Sequence, residues 1–333
     1  MPLPSTFLFL REDEVVQTLD IRQAIELARR GIQADAAGEV VGNKFYTSIG
    51  DHGFVKPFTG YIKNEDYFFV KTFNFFQDNP GKFNLPATSS LVLVFEAETG
   101  YPTCMMEAGW VTGLKTAAST AVTAEYLAPE NPQTAVVFGA GSLGRMHLRA
   151  LDSVFQLENV FVIDLLPEIA EACAREVGKE VEFNLCAADL SDREEIIRQA
   201  DIIITVTTGS QPLVERAWLK KGTFIARLGS YQEIAYDVIT GADQVIVDNW
   251  YYVNPRIPEL VYLKQQGLFD FENVSAEWPD IVAGRKPGRR SQDEKIVYIA
   301  LGIWGEYAAI LPEVYRKAVD MGLGTPLPCS YYE

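Results

Sequence analysis

A glycine-rich turn between a short apolar run and an amphipathic run is the feature that most constrains the fold. Residues 134–151 read TAVVFGAGSLGRMHLRAL, in which Gly139, Gly141 and Gly144 have the spacing G-x-G-x-x-G. The run before the glycines predicts a buried strand, and the run after them predicts a helix. A second apolar run, NVFVID, ends at Asp164, 20 residues beyond Gly144. This combination is typical of the first βαβ unit of a dinucleotide-binding domain.

The glycine turn predicts how a cofactor is held. Gly139 permits the tight turn, Gly141 lets the backbone approach a pyrophosphate, and Gly144 lets the helix pack closely on the strand. The first turn of the helix presents unpaired N–H groups to the phosphates, so Ser142 and Leu143 are also expected to contact the cofactor.

The residues around this turn indicate which cofactor binds. Asp164 can accept hydrogen bonds from the adenosine ribose and would repel a 2′-phosphate, which favours NAD over NADP; the alternative is a surface turn residue. Arg145 and Arg149 are expected to be solvated, with a phosphate contact as the alternative for Arg145. His147 is expected to pack rather than to act in catalysis.

Residues 134–249 alternate short apolar runs with helical patterns. Six such runs predict parallel strands joined by helices, which is a doubly wound Rossmann sheet. The fourth run ends in TVTTGSQP, where a ligand crevice is expected to open, so Thr207 and Thr208 are candidate cofactor contacts beside the alternative of ordinary turn residues.

Outside residues 134–249 the chain shows a different pattern of predicted helices and strands. Asp20 is a candidate N-cap for a helix over 21–37, residues 41–107 predict a meander of strands, and 110–128 predict a helix. The run that begins KIVYIALGIWGEYAAILPEVY predicts a C-terminal helix, kinked or restarted at Pro312, that returns to the first domain. We therefore expect an α/β protein whose Rossmann domain spans 129–299. A discontinuous α+β domain for substrate binding and dimerisation would span 1–128 plus 300–333.

Composition excludes several classes of function. The chain has 333 residues and a net charge of −16, which argues against nucleic acid and anionic membranes as partners. No apolar run approaches the roughly 20 residues needed to cross a bilayer, and the N-terminus predicts a first strand rather than a signal peptide. The four cysteines lie far apart and there are only two histidines, so no metal site is expected and a reducing cytoplasm is the simplest location.

Four segments together resemble the ornithine cyclodeaminase/μ-crystallin family. They are EAETGYPTCMMEAGWVTGLKTAAST, VVFGAGSLGRMHLRAL, ADIIITVTTGSQPLV and GADQVIVDN, which occur in the family's order across nearly the whole chain. The resemblance implies hydride transfer between a nicotinamide and the α-carbon of an amino or imino acid. It also implies a small amino, imino or keto acid substrate, bound between two domains, and a homodimer.

The resemblance also assigns residues. Lys71, in FVKTFN, matches a family lysine that binds the substrate carboxylate or moves a proton. Lys115 and Lys44 stand where the family usually has arginine as a carboxylate clamp. A lysine is a point charge where arginine is a bidentate fork, so the substrate is expected to be gripped differently. Thr116 and Gly229 complete the cofactor contacts that we expect.

The family resemblance leaves three functions open. Cyclodeaminases of the family have an aspartate in a G-G-D-x-P-G-K motif, whereas this chain reads RLGSYQEIAYD, with Glu233 as the nearest carboxylate. We therefore expect an NAD-dependent oxidoreductase. Lys71 is expected to be catalytic, and Glu233 is expected to take the place of the family's aspartate. The alternatives are a cyclodeaminase that releases ammonia with internal recycling of NAD, and a crystallin-like dinucleotide-binding protein.

Overall fold

The computed structural model describes residues 6–328. By the density of its contacts the chain divides into two compact units. The strand unit comprises residues 1–115 together with 304–333, and the parallel-sheet unit comprises residues 116–303. The division falls within helix α4, which is one continuous helix.

The first part of the chain forms seven strands and four helices. The strands are β1 Thr6–Leu10, β2 Val40–Lys44, β3 Thr47–Ser48, β4 Phe54–Ile62, β5 Tyr67–Phe75, β6 Thr88–Glu96 and β7 Pro102–Glu107. The helices are α1 Glu12–Val15, α2 Ile21–Ala36, α3 Asn79–Phe83 and α4 Gly109–Leu127. The first strand, the helix after Asp20 and the meander are thereby confirmed.

Residues 134–299 form the elements of the parallel-sheet unit. The strands are β8 Thr134–Phe138, β9 Asn159–Ile163, β10 Asn184–Ala188, β11 Ile202–Thr205, β12 Phe224–Arg227, β13 Gln244–Val247, β14 Ala276–Glu277 and β15 Ile296–Ile299. The helices are α5 Ser142–Val154, α6 Pro167–Val177, α7 Arg193–Gln199, α8 Tyr236–Thr240, α9 Trp250–Val253, α10 Pro258–Gln265 and α11 Trp278–Val282. Helix α12, Trp304–Asp320, and strand β16, Thr325–Pro328, then return the chain to the strand unit.

The strand unit is built on one mixed sheet in the order β16-β1-β7-β6-β5-β4-β2, with β3 paired to β4. Strands β4 to β7 run as an antiparallel meander, whereas β1 is parallel to β7. Leu10, Met106 and Val92 pair across the sheet on its inner face and are fully buried. Helix α2 begins at an N-cap as predicted, since the Asp20 carboxylate accepts a hydrogen bond from the Gln23 amide at 2.8 Å.

The parallel-sheet unit has the strand order β10-β9-β8-β11-β12-β15-β13-β14, and each neighbouring pair is parallel. The five strands β10-β9-β8-β11-β12 have the doubly wound Rossmann order, which confirms the predicted fold class. Fully buried apolar side chains on one face of the sheet, such as Val136, Ile203 and Ile225, which pair in one row across β8, β11 and β12, belong to its core.

One predicted element is wrong. The run KIVYIALG, expected to begin the C-terminal helix, forms strand β15, which lies between β12 and β13. The helix begins only at Trp304, and Pro312 lies inside it without dividing it. Four buried residues in succession suit a central parallel strand, which is covered on both faces.

Several chemical features bear on function. Cys104, Cys173 and Cys186 carry free thiols, and Cys329 lies outside the described residues. Within residues 6–328, no three histidine, cysteine, aspartate or glutamate side chains are grouped to hold a metal ion. No helix in the same range has the length and apolar character needed to cross a bilayer.

Candidate active site

The glycine turn has the geometry of a phosphate cradle. Gly139 has φ +104°, a conformation that favours glycine, and a Cβ there would lie 2.9 Å from the Val206 carbonyl oxygen. A Cβ on Gly144 would overlap the Gly139 carbonyl oxygen. Gly141 is exposed at the N-cap of α5, and among the described residues no atom apart from its chain neighbours lies within 4 Å of where its Cβ would be. The approach to Ser142 and Leu143 in the first helical turn is therefore open to a pyrophosphate.

Asp164 lies directly after β9 and beside this cradle. One carboxylate oxygen accepts a hydrogen bond from the Ala140 amide at 2.8 Å, and the other accepts one from the Leu166 amide at 3.2 Å. The side chain is half-buried. Asp164 thus fastens the glycine turn to the second strand and brings a negative charge to the end of the sheet where a ribose is expected.

The remaining charged or polar residues of α5 are engaged in structural contacts. His147 is buried, its Nδ1 donates to the Leu143 carbonyl at 2.8 Å, and its Nε2 lies 3.2 Å from the Thr120 hydroxyl. Burial lowers the pKa of His147 to about 4, so the ring is neutral at pH 7 and has a packing role. Arg145 pairs with Glu176 and Arg149 with Glu180, so both arginines are held in ion pairs.

Glu233 connects the loops that follow β11 and β12. Its carboxylate accepts hydrogen bonds from the Thr205 hydroxyl (2.8 Å) and the Gly229 amide (2.7 Å). It also accepts bonds from the amide and the hydroxyl of Thr207, at 2.6 and 2.9 Å. Glu233 is fully buried, whereas Thr208 next to Thr207 is exposed. The structure therefore brings together Thr207, Gly229 and Glu233, three residues that the sequence singled out separately.

A buried ion pair between Arg227 and Glu259 holds the backbone of Glu233 in place. Arg227, the last residue of β12, binds the Glu259 carboxylate through Nε at 3.1 Å and Nη2 at 2.9 Å. The same carboxylate accepts the Glu233 amide at 2.9 Å. All three side chains are fully buried, and a buried pair of this kind holds its shape because breaking it would strand a charge.

Two of the three predicted carboxylate-binding lysines, Lys44 and Lys71, lie on the inner face of the sheet in the strand unit. Lys44, Phe58 and Lys71 are paired across β2, β4 and β5. Lys71 is 1% exposed, and its Nζ donates to the Ser90 hydroxyl at 2.8 Å. Burial, together with the positive charge of Lys115, lowers the pKa of Lys71 to about 7.

Lys115, on α4, is buried beside Lys71. Its Nζ lies 2.5 Å from a carboxylate oxygen of Glu306 on α12. Both lysines contact the ring of Tyr307, with Nζ 5.2 Å from the ring centroid for Lys71 and 4.8 Å for Lys115. Thr116, which follows Lys115, is partly exposed, and its carbonyl accepts the Thr120 hydroxyl at 2.9 Å.

Two further charged residues of this site were not found from the sequence. Lys56 is buried, with Nζ 4.6 Å from the ring centroid of Phe54 and 5.7 Å from that of Phe73. Glu306 is 2% exposed within the helix after Trp304. Each had a signal in the sequence. Lys56 lies two residues from both Phe54 and Phe58, the spacing of residues on one face of a strand. Glu306 is an acidic residue within an apolar run, where a charged side chain is unusual.

The chain is similar in sequence to known proteins over most of its length. The sequence model of the ornithine cyclodeaminase/mu-crystallin family matches residues 7–322. N-((2S)-2-amino-2-carboxyethyl)-L-glutamate dehydrogenase of Staphylococcus aureus is 32% identical over 255 residues, which cover 75% of this chain and 74% of that protein.

Two solved structures have the same fold over nearly the full length. The Δ1-pyrroline-2-carboxylate reductase of Thermococcus litoralis, in complex with NADH and L-proline, superposes with a TM-score of 0.91 at 25% identity and covers 96% of this chain and 100% of its own. An archaeal alanine dehydrogenase dimer with bound NAD has a TM-score of 0.89 at 24% identity, and the coverage is 98% and 100%.

Proposed function

The chain belongs to the ornithine cyclodeaminase/mu-crystallin family, and we propose that it is an NAD-dependent oxidoreductase of an amino or imino acid. The single observation that carries the proposal is Lys71, a buried amine beside Ser90 and Lys115 whose pKa of about 7 suits proton transfer at neutral pH. The glycine cradle of the other unit supplies the second requirement, a site for a dinucleotide.

The lysines and the cradle have separate tasks in this reaction. A bound nicotinamide dinucleotide supplies or accepts the hydride. Lys44 and Lys115 hold the α-carboxylate of the substrate and so fix the position of its Cα. Lys71 moves the proton at the substrate nitrogen, donating it when the C=N bond is reduced and accepting it when the amine is oxidised. Reduction thus adds one hydride at Cα and one proton at nitrogen.

We propose that Glu233 is a positioning residue rather than a proton donor. Four hydrogen bonds from Thr205, Thr207 and Gly229 occupy both carboxylate oxygens, so the side chain is engaged within the protein's own loops. Its task is to hold the two loops at the carboxyl ends of β11 and β12, where Thr207, Thr208 and Gly229 line the cofactor.

We propose that the cofactor is NAD rather than NADP. Asp164 carries its negative charge at the end of β9, and the residues after it are Leu165, Leu166 and Pro167, which offer no positive charge to a 2′-phosphate. The nearby Arg145 and Arg149 are already paired with glutamates.

We also propose that the protein works as a homodimer in a reducing compartment of the cell. The outer face of the strand-unit sheet is apolar and partly exposed, as a surface that a second copy covers would be. The free thiols of Cys104, Cys173 and Cys186 support the reducing compartment.

A substrate screen with the full chain tests the proposed function. NAD⁺ is offered with single L-amino acids, and NADH with 2-oxo acids plus ammonia or methylamine, while nicotinamide absorbance and free ammonia are followed together. We expect one amine formed per NADH consumed. Ammonia release without net change in NADH would instead identify a cyclodeaminase. Tight dinucleotide binding without turnover on the whole panel would identify a binding protein.

A further inference from the structure

The side-chain nitrogen of Lys71 is enclosed by three aromatic rings. Its Nζ lies 5.4 Å from the ring centroid of Phe58, 5.6 Å from that of Phe73 and 5.2 Å from that of Tyr307. The face of an aromatic ring attracts an ammonium group but neither accepts nor supplies a proton. Since Lys71 is only 1% exposed, this aromatic cage leaves Nζ almost no direct contact with bulk water.

Ser90 supplies the polar contact of the enclosed amine. Its hydroxyl oxygen accepts a hydrogen bond from Lys71 Nζ at 2.8 Å. Within residues 6–328, this hydroxyl is the one hydrogen-bond partner of Nζ. A hydroxyl can both accept and donate, so Ser90 can take part in proton transfer in either direction.

Other titratable groups face the aromatic cage from neighbouring elements. They are Lys44 on β2, Lys56 on β4, Lys115 on α4, and Glu306 and Tyr307 on α12. The three lysines are hydrogen-bond donors only while they are protonated. The Glu306 carboxylate lies 2.5 Å from the Lys115 amine. In the described part of the chain, none of these groups is hydrogen-bonded to Lys71.

Ser90 also lies on the route from the enclosed amine to the solvent. On this face of β6, Val92 pairs with Lys71, and Ser90 pairs with Phe73 one row further along. Val92 is fully buried, Ser90 is half-buried, and Thr88 in the following row is exposed. Exposure therefore increases along the row of side chains that begins beside Lys71, and the Ser90 hydroxyl stands between the amine and the exposed end of β6.

We propose that Ser90 relays protons between Lys71 and solvent water, and so returns Lys71 to its starting protonation state after each turnover. This inference rests on the proposed function. In reduction, the Lys71 ammonium gives one proton to the substrate nitrogen and becomes a neutral amine. The Ser90 hydroxyl then donates its proton to Nζ while its oxygen takes one from water, so the serine is unchanged. Oxidation runs the same transfers in reverse. Ser90 acts through Lys71.

Steady-state reduction by NADH tests the relay with the full chain. The probe is pyruvate plus methylamine or Δ1-pyrroline-2-carboxylate, whichever the wild-type protein reduces faster. We expect Ser90→Ala to lower kcat by about 10- to 100-fold, because a positioned proton-transfer group contributes about 100-fold or more. Ser90→Thr keeps a hydroxyl and should retain most of the wild-type kcat.

The ratio kcat/KM distinguishes a relay from a structural role. It measures the reaction of enzyme that already carries the required proton, whereas kcat includes the return of that proton. We therefore expect Ser90→Ala to lower KM for the probe in parallel with kcat and to leave kcat/KM nearly unchanged. The effect of deuterated water on kcat should increase. Ser89→Ala, at the adjacent serine, which is exposed on the other face of β6, is the matched control and should keep the wild-type kcat.

The outcomes separate the two proposals. An unchanged kcat in Ser90→Ala overturns the relay and leaves the proposed function standing. A loss of kcat/KM as large as the loss of kcat also overturns the relay, since that result indicates a structural role. Failure of the wild-type protein to reduce either probe, together with a negative amino-acid screen, overturns the proposed function and the relay with it.

Discussion

Lys71 connects the chemistry to pH. In the amino-acid-oxidising direction it must be neutral to accept a proton, and its pKa is about 7. We expect kcat/KM for oxidation to rise with pH through about 7, and Lys71→Met to lower it by about 100-fold or more and abolish this limb. A pH–rate profile of both proteins measures this. An unchanged limb in Lys71→Met would show that another group titrates.

The stability of the fold offers a check that needs no substrate. The pKa of Lys71 falls from 10.5 to about 7 on folding, so the unfolded chain binds more protons between these values. Stability contributed by this group therefore increases as pH rises from about 7 towards 10.5, and it is lost as pH falls through 7. We expect Lys71→Met to flatten this part of a denaturant-unfolding series, while Lys63→Met, at an exposed lysine of the β4–β5 turn, retains it.

Asp164 determines the choice of cofactor in our proposal. Asp164→Asn keeps an oxygen to accept the Ala140 amide but removes the negative charge that would repel a 2′-phosphate. We expect the ratio of kcat/KM for NADP to that for NAD to rise at least about tenfold, equivalent to about 1.4 kcal/mol. Asp237→Asn, an exposed aspartate on α8, is the control. An unaltered ratio would contradict the assignment of Asp164 to the ribose.

At the residue scale, the sequence revealed two of the buried lysines of the site and missed a third. Lys71 and Lys115 were found through motifs, and the structure places them beside one another. Lys56 was missed because a lysine between Val55 and Pro57 is ordinarily a solvated strand residue. Only the pairing of β4 with β5 shows that it shares a face with Lys71. Which residues of two strands lie opposite each other depends on the turn that joins the strands as well as on the pattern of each strand.

At the scale of elements, Glu233 holds two strand-end loops in one network. Glu233→Gln keeps the shape but replaces one acceptor oxygen with an NH₂ group that faces hydrogen-bond donors. We expect a loss of about 1–3 kcal/mol in stability and a raised KM for the dinucleotide, with a smaller change in kcat. Thermal unfolding and steady-state kinetics measure these effects. Glu182→Gln, on the surface, should change neither.

The opposite result for Glu233 is equally informative. A large loss of kcat in Glu233→Gln, with unfolding temperature and KM for the dinucleotide retained, would contradict the positioning role and return Glu233 to catalysis. If Glu233 positions the two loops, the substitution raises KM for the dinucleotide and lowers stability before it lowers kcat.

Strand β15 shows where local patterns fail at this scale. The residues IVYI are apolar without a break, and such a run is compatible with a buried helix as well as with a parallel strand. Because IWGEYAA follows with helical character, the two were merged into one predicted helix. The strand is defined by its partners, β12 and β13, which lie about 70 and 50 residues earlier in the chain. By contrast, α2 and α4, predicted over 21–37 and 110–128, were found to within a residue, since their ends carry local signals.

At the scale of the whole molecule, the fold class and the family were predicted correctly from the glycine turn and the order of four motifs. These features succeed because a βαβ unit of this type is specified by residues close in sequence. The domain boundaries at 128/129 and 299/300 remain a prediction. The density of contacts divides the chain at 115/116 and 303/304 instead, and the first of these points lies inside the continuous helix Gly109–Leu127.

The outer face of the strand-unit sheet carries our prediction about assembly. Phe9, Met105, Leu93 and Val70 pair in one row across four strands, and all are partly exposed. Leu91, on the same face, is 40% exposed. An apolar row of this size that stays partly exposed on a sheet face is typical of a subunit interface, and a two-fold axis is the commonest way to bury it.

We therefore expect sedimentation of the full chain to give the mass of a dimer. Leu91→Lys adds a charge on this face, opposite Glu107 on β7, and should shift the equilibrium towards monomer by about 10-fold or more, because removing a charge from water in an interface costs about 1.4 kcal/mol or more. Leu268→Lys, at a leucine of the parallel-sheet unit that is 60% exposed, is the matched control and should remain dimeric. Circular dichroism shows whether both variants are folded. A dimer that persists in folded Leu91→Lys, or a wild-type monomer, would place the interface elsewhere or remove it.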